Sequence, residues 1–94
     1  MEKKITPALK QYLELKEKYK DAILMFRMGD FYEMFFDDAK VASKELGLSL
    51  VTRDKAKKVP MAGVPVKSME GYLTRLVRAG HSVAICEQLQ DPRD

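Results

Sequence analysis

One cysteine, one histidine and no apolar stretch long enough to cross a bilayer set the first limits on this 94-residue chain. The lone Cys86 excludes an internal disulfide and a cysteine-rich metal site, and its place in the run Val83-Ala84-Ile85-Cys86 predicts a buried strand thiol. His81 has no cysteine or histidine at ligand spacing, so a metal role is set aside. A membrane helix needs about 18 consecutive apolar residues, and none occurs. Met1-Glu2-Lys3-Lys4 leads directly into an amphipathic pattern rather than a signal peptide, which by default implies a cytoplasmic location. There is also no glycine-rich loop followed by Lys-Ser or Lys-Thr, so the chain offers no recognisable seat for ATP phosphates.

What is present fits one folded domain. The chain is 46% hydrophobic and 33% charged, the balance of a globular domain rather than a disordered segment, and its length allows one modest core. The net charge is +3, but its distribution is more telling. Residues 21 to 50 carry six acidic groups against three basic, whereas residues 51 to 60 carry four basic against one acidic. That second stretch holds Arg53, Lys55, Lys57 and Lys58, a basic loop able to meet phosphates; it reads equally well as a solvated connector.

Periodicity and punctuation predict helix, strand, strand, helix, strand, strand, helix, strand. Thr6-Pro7 opens the first helix, with Ala8, Leu9, Tyr12, Leu13, Leu15 and Tyr19 along one side. Ala22 to Met28 reads as a strand broken only by Arg27, Gly29-Asp30 as a turn, and Phe31 to Phe35 as a second strand. Asp37 or Asp38 caps the next helix, whose face is Ala39, Ala42 and Leu46 and which ends at Gly47. Leu48 to Thr52 alternates weakly. Val59 to Val64, interrupted by Pro60 and Gly63, suits an edge strand or an irregular extended segment. Ser68 caps a third helix with Met69, Tyr72, Leu73, Leu76, Val77 and Ala79 on its stripe and Gly80 at its end, and Ser82 to Leu89 is the last, buried strand. The predicted fold is α/β or α+β, a small mixed sheet of five or six strands flanked by three helices.

The segment Gly29-Asp30-Phe31-Tyr32-Glu33 stands out chemically. Strand alternation puts Phe31 and Glu33 on one side and Tyr32 on the other, where it can anchor in the core. Gly29 permits a tight turn that pushes the ring forward. An apolar wedge of that kind, inserted from the minor groove, unstacks a base step at a cost of about a few kcal/mol. Less is needed where a base is already mispaired, and that difference is a source of selectivity. Glu33, unfavourable near phosphates, becomes useful if it exchanges a hydrogen bond with a displaced base, aided by proton uptake in the anionic setting. The residues alone leave a plainer reading open, with Phe31 a core aromatic and Glu33 a surface charge at a strand end. Asp30, Glu33, Asp37 and Asp38 also invite comparison with a metal-dependent nuclease, but two of them serve as caps in this reading and no strand lysine accompanies them.

The chain closely resembles the N-terminal mismatch-recognition domain of the bacterial MutS family. The likeness runs through Thr6-Pro7, Gln11-Tyr12, Phe26-Arg27-Met28-Gly29-Asp30-Phe31-Tyr32-Glu33, Asp38-Ala39, Pro60-Met61-Ala62-Gly63-Val64-Pro65, Tyr72-Leu73, Leu76-Val77, Val83-Ala84-Ile85-Cys86-Glu87-Gln88 and Asp91-Pro92. By that resemblance Phe31 stacks on the mismatched base and Glu33 hydrogen-bonds to it. Pro60 and Met61 lie near them in the minor groove, Gly29 counts among the DNA-binding residues through the turn it permits, Arg53 and the neighbouring lysines contact the DNA backbone, and Asp30, Tyr32 and Arg27 give structural support. The resemblance implies a non-enzymatic module with no metal or cofactor of its own. In the parent protein it implies ATP and magnesium elsewhere in the chain, a dimer mate, a MutL partner, duplex DNA carrying mismatches or small loops, and a bacterial cytoplasmic, nucleoid-associated location. It also implies that residues 1–94 form one domain cut before its last strands. Two departures are visible: Val66-Lys67 where the family commonly has Tyr-His, and Gln90 where an acid is common. The alternative of a structural or protein-interaction domain applies to relatives lacking the Phe-Tyr-Glu motif, which is intact here.

Overall fold

The computed structural model describes residues 7–52 and 59–87. The Thr6 cap, the basic residues Arg53, Lys55, Lys57 and Lys58, and Gln90 lie outside them. The elements run α1 (Pro7–Lys18), β1 (Ile23–Met28), β2 (Phe31–Phe35), α2 (Phe36–Leu46), β3 (Val51–Thr52), β4 (Pro60–Pro65), a short 3-10 turn (Val66–Ser68), α3 (Met69–Arg78) and β5 (Val83–Cys86). The strands form one mixed five-stranded sheet in the order β3-β4-β2-β1-β5, antiparallel except for β1 against β5. This is the α+β architecture predicted, with three helices on a small mixed sheet.

Each face of the sheet carries its own apolar cluster. On one, Ile23, Met25, Tyr32, Met34, Ala62 and Val64 pack with Ala39, Ala42 and Leu46 of α2 and Leu76 of α3. On the other, Leu24, Phe26 and Phe35 pack with Tyr12 of α1 and with Val59. Helices therefore cover both sides of β1, and this is why Ile23 to Phe26 are all buried and read as a continuous apolar run instead of an alternating one. Full burial of such side chains contributes roughly 1.5–3 kcal/mol each, so β1 is the axis of the core.

Several boundaries differ from the sequence-based expectation. Asp37 and Asp38 do not cap α2. The helix begins at Phe36, straight from the end of β2, and Phe35, two residues before Asp37, occupies the cap position with no side-chain hydrogen bond. Phe36 makes the sharp exit possible by adopting φ 56°, an uncommon value for a residue with a side chain. Asp38 is buried instead. It accepts hydrogen bonds from the Tyr12 hydroxyl (2.8 Å) and the Leu24 amide (3.1 Å), and pairs with Lys16 Nζ (2.9 Å). The β1–β2 ladder is registered only from Phe26↔Glu33 to Met28↔Phe31, so this carboxylate takes the Leu24 N–H where the ladder has ended.

Ser68 does occupy the position before α3 but makes no capping bond, and a 3-10 turn precedes it. The helix ends were better signalled. Gly47 (φ 72°) and Gly80 (φ 99°) take left-handed conformations, and Leu48 and His81 donate back to Ser43 and Leu76 in the six-to-one pattern that closes such ends. The α1 stripe is narrower than its periodicity suggests, because Leu13 and Tyr19 are exposed; on α3, Val77 and Ala79 are exposed too. The Leu48–Thr52 strand shrinks to two exposed residues. β4 is not an outer strand by order, since β3 flanks it, but β3 pairs only with Pro60 and Met61, which leaves Pro65 at a strand end where its missing N–H is tolerated. β5 is an outer strand rather than a buried one: none of its four residues is fully buried, Ile85 is exposed and Cys86 is half-buried.

Candidate nucleic-acid interface

The Phe31 ring is held where it cannot join the core. Gly29 (φ 67°) and Asp30 join β1 to β2 with the sign pattern of a type II′ turn, which takes glycine at its first central position. Phe31 is the first residue after it, facing Met28 on one side and Pro65 on the other. Strand alternation gives it the same face as Phe35. Yet Phe35 is 1% exposed beneath Tyr12, their rings 4.9 Å apart edge to face, whereas Phe31 is 46% exposed. Among the described residues, α1 thus covers one end of this face and not the other. The reading of Phe31 as a core aromatic is thereby excluded.

Glu33 shares the face, half-buried, in the next row between Phe26 and Gly63. Gly63 matters for what it lacks. A Cβ built on it would lie 3.4 Å from the Tyr32 carbonyl oxygen, 3.6 Å from the Phe31 ring and 3.7 Å from Glu33 Cγ. The missing side chain leaves a trough in the sheet surface beside both functional candidates, as glycine within a strand does where another molecule comes close. Next to Phe31 lies an open depression of about 590 Å³, walled by Phe31, Pro65 and Val66 with Arg27, Lys67 and Asp30 at its polar margin.

Tyr32 points the opposite way, as expected from alternation, and is buried in the cluster beneath α2 and α3. Its hydroxyl donates to Glu87 at 2.6 Å. That bond, then burial, raises the phenol above its ordinary range. Arg27 donates to the Gly29 carbonyl at 3.1 Å and lies 3.6 Å from Glu87.

The remaining sequence candidates are dispersed. Met61 shares the face of Phe31 and Glu33 but pairs with Phe35, two rows from Phe31. Pro60 precedes it, so alternation turns Pro60 to the other face. Thr52 and Pro60, which flank the basic residues, pair at the end of the sheet away from Phe31, about 17 Å along β4 by strand rise. Gly63, Pro65, Lys67 and Glu87 were not singled out as site residues in the sequence. Gly63 had a usable signal, a glycine inside an apolar strand. Glu87 had none, because it meets Tyr32 across 55 residues of chain.

No group of three or more His, Cys, Asp or Glu among the described residues could hold a metal ion. The acidic cluster suggested by the sequence is split, with Asp38 buried against Tyr12 and Lys16 and Asp30 at the turn. No helix among the described residues is long and apolar enough to cross a membrane.

The family model described as MutS domain I matches residues 6–94. A protein named DNA mismatch repair protein MutS from Syntrophobacter fumaroxidans is 60% identical over 92 residues, covering 96% of this chain and 10% of that protein. Its namesake in Fusobacterium nucleatum is 58% identical over 90 residues, 94% of this chain and 10% of that protein. In Thermodesulfovibrio yellowstonii the figures are 53% over 94 residues, 98% and 11%. The chain spans about a tenth of the length of the curated relatives it matches.

Proposed function

The chain belongs to the MutS domain I family, and from that premise we propose that it reads mispaired or unpaired bases in duplex DNA, with Phe31 as an apolar wedge and Glu33 as hydrogen-bonding partner of the displaced base. The observation that carries this reading is the exposed ring of Phe31, on the same face as Glu33 and beside the Gly63 trough. A large aromatic left uncovered at a sheet end, while its same-face neighbour Phe35 is buried, is costly for a lone domain and useful for stacking.

The proposed mechanism is a difference in unstacking cost. The ring enters from the minor groove and replaces one base–base contact by a ring–base contact. In sound duplex the step must be broken at about a few kcal/mol; at a mismatch part of that cost is already met. Glu33 adds discrimination, because its carboxylate is unfavourable against a fully paired backbone and is offset only where a displaced base offers a hydrogen bond. Arg53, Lys55, Lys57 and Lys58 supply salt-dependent contacts to the backbone, with Lys67 beside Phe31 as a further one. The long relatives supply the frame for the rest of the proposal: a dimer mate, a MutL partner, and ATP with magnesium bound by parts of the protein outside this chain, in a bacterial cytoplasm.

The test is Phe31→Ala in the full-length protein carrying this domain, with mismatched and fully paired duplexes of equal length at one salt concentration. Stacking of a base on an aromatic is worth about 1–3 kcal/mol, so the preference for the mismatch should fall about fivefold or more while affinity for paired DNA is kept. An unchanged preference overturns the wedge.

A further inference from the structure

Among the described residues no helix covers the half-exposed Phe31 ring, and the turn is held in the sheet plane by the Val66 amide, which donates to the Asp30 carbonyl at 2.8 Å. On the reverse side, two groups converge on one carboxylate. Glu87, the residue after β5, accepts the Tyr32 hydroxyl at 2.6 Å through Oε2 and faces Arg27 Nη1 at 3.6 Å through Oε1. Arg27 in turn donates through Nε to the Gly29 carbonyl at 3.1 Å. One side chain from the sheet edge therefore ties down β2 through Tyr32 and β1 through Arg27, and the same guanidinium grips the tip of the turn.

Building on the wedge reading of Phe31, we propose that Glu87 is a positioning residue for mismatch reading, fixing the β1–β2 turn so that the Phe31 ring meets the base stack at one height and angle. Phe31 and Tyr32 are adjacent and point to opposite faces, so any rocking of the Tyr32 backbone swings the Phe31 ring. Tyr32 is held at both ends, its ring in the core and its hydroxyl on Glu87. A wedge discriminates only if its own geometry does not relax to suit sound duplex, and supporting contacts of this kind supply that rigidity. The tie is also placed to matter locally rather than globally. The Arg27 and Glu87 side chains are 42% and 45% exposed, so their ion pair adds little to overall stability, while the short tyrosine–carboxylate bond is directional.

The experiment compares wild type, Glu87→Ala, Glu87→Gln, Tyr32→Phe and Phe31→Ala in the full-length protein. It measures the ratio of affinities for mismatched and paired duplex, the unfolding midpoint, and amide hydrogen exchange at Gly29 to Phe31. Glu87→Ala and Tyr32→Phe should each lower the ratio about fivefold and speed exchange in the turn, with affinity for paired DNA and the midpoint preserved. Glu87→Gln should keep most of the ratio, because its amide oxygen still accepts the Tyr32 hydroxyl. A ratio unchanged in Glu87→Ala but lost in Phe31→Ala overturns the positioning role and spares the wedge. A ratio unchanged in both overturns both. A midpoint that falls in step with the ratio, or unaltered exchange in the turn, assigns Glu87 a general structural part and overturns the proposal.

Discussion

Replacing Asp38 by alanine should be among the most damaging single changes in this domain, although the residue lies on no proposed DNA-contacting surface. Three partners lose their acceptor. The Leu24 amide, 3.1 Å away in the buried half of β1, is left with none where the β1–β2 ladder has ended, at a cost of about 1–3 kcal/mol. Lys16 loses its ion pair, but its side chain is 27% exposed and can turn to water, so about 1 kcal/mol or less is at stake. Tyr12 keeps the Phe35 carbonyl at 3.1 Å and loses little. The total is about 3 kcal/mol, at the low end of what breaking a buried pair costs. Domains of this size have about 5–14 kcal/mol to lose. Urea unfolding followed by far-ultraviolet circular dichroism would register the change as a fall of about 2 M in midpoint at an m-value near 1.5 kcal/mol/M. Asp37→Ala is the control. That residue is exposed in the first turn of α2, and its interaction with the helix dipole is worth about 0.5 kcal/mol. Asp38→Asn, which keeps one acceptor, should fall between the two. Equal midpoints for the alanine variants at 37 and 38 would refute the inference that Asp38 joins α1 to the sheet.

Gly63→Ala should leave stability within about 1 kcal/mol, because the added methyl meets its neighbours at 3.4 Å or more, yet it should weaken mismatch preference by filling the trough beside Phe31 and Glu33. Paired unfolding and DNA-titration measurements check both halves, and a loss of folding without DNA would sink the claim. A second expectation concerns alkaline pH. Burial, then the Asp38 charge and hydrogen bond, holds the Tyr12 phenol above its ordinary value of 10.0, and the bond to Glu87 raises Tyr32 in the same direction. The folded state therefore keeps protons that the unfolded chain releases. Their contribution is complete below pH 10 and declines as pH rises beyond it. Tyr12→Phe should be less stable than wild type near neutrality, with the gap closing above about pH 10 as the unfolded tyrosine ionises; a gap that stays constant up to about pH 11 would contradict the assigned burial.

Local signals located the elements well where the backbone itself carried the information. Gly29, Gly47 and Gly80 all sit at positive φ, and each had marked a turn or a helix end. Signals failed where one residue type serves two purposes. Asp38 read as a cap because aspartate before an apolar helical stripe commonly is one, but its acceptor capacity is used by partners 14 and 26 residues away. β5 read as a buried strand because it is apolar, whereas strand order places it at the edge of the sheet. The proline-broken segment 59–64 read as an edge or irregular strand; β4 instead lies inside the strand order, paired with β2 from Met61 to Pro65, although β3 flanks only Pro60 and Met61.

Within the candidate interface the division is equally physical. The dipeptide Gly29-Asp30 and the period of two determine from sequence alone that a turn precedes Phe31, that Phe31 and Glu33 share a side, and that Tyr32 opposes them, because turn conformation and strand alternation are properties of the backbone. Which side faces outward is not such a property. It depends on α1 covering Phe26 and Phe35, on Gly63 of β4 lying beside Glu33, and on Glu87 reaching Tyr32 from beyond the edge strand. Burial and long-range pairing are settled only when distant segments compete for the same surface. Tertiary structure alone therefore decided that the ring at position 31 remains in the open.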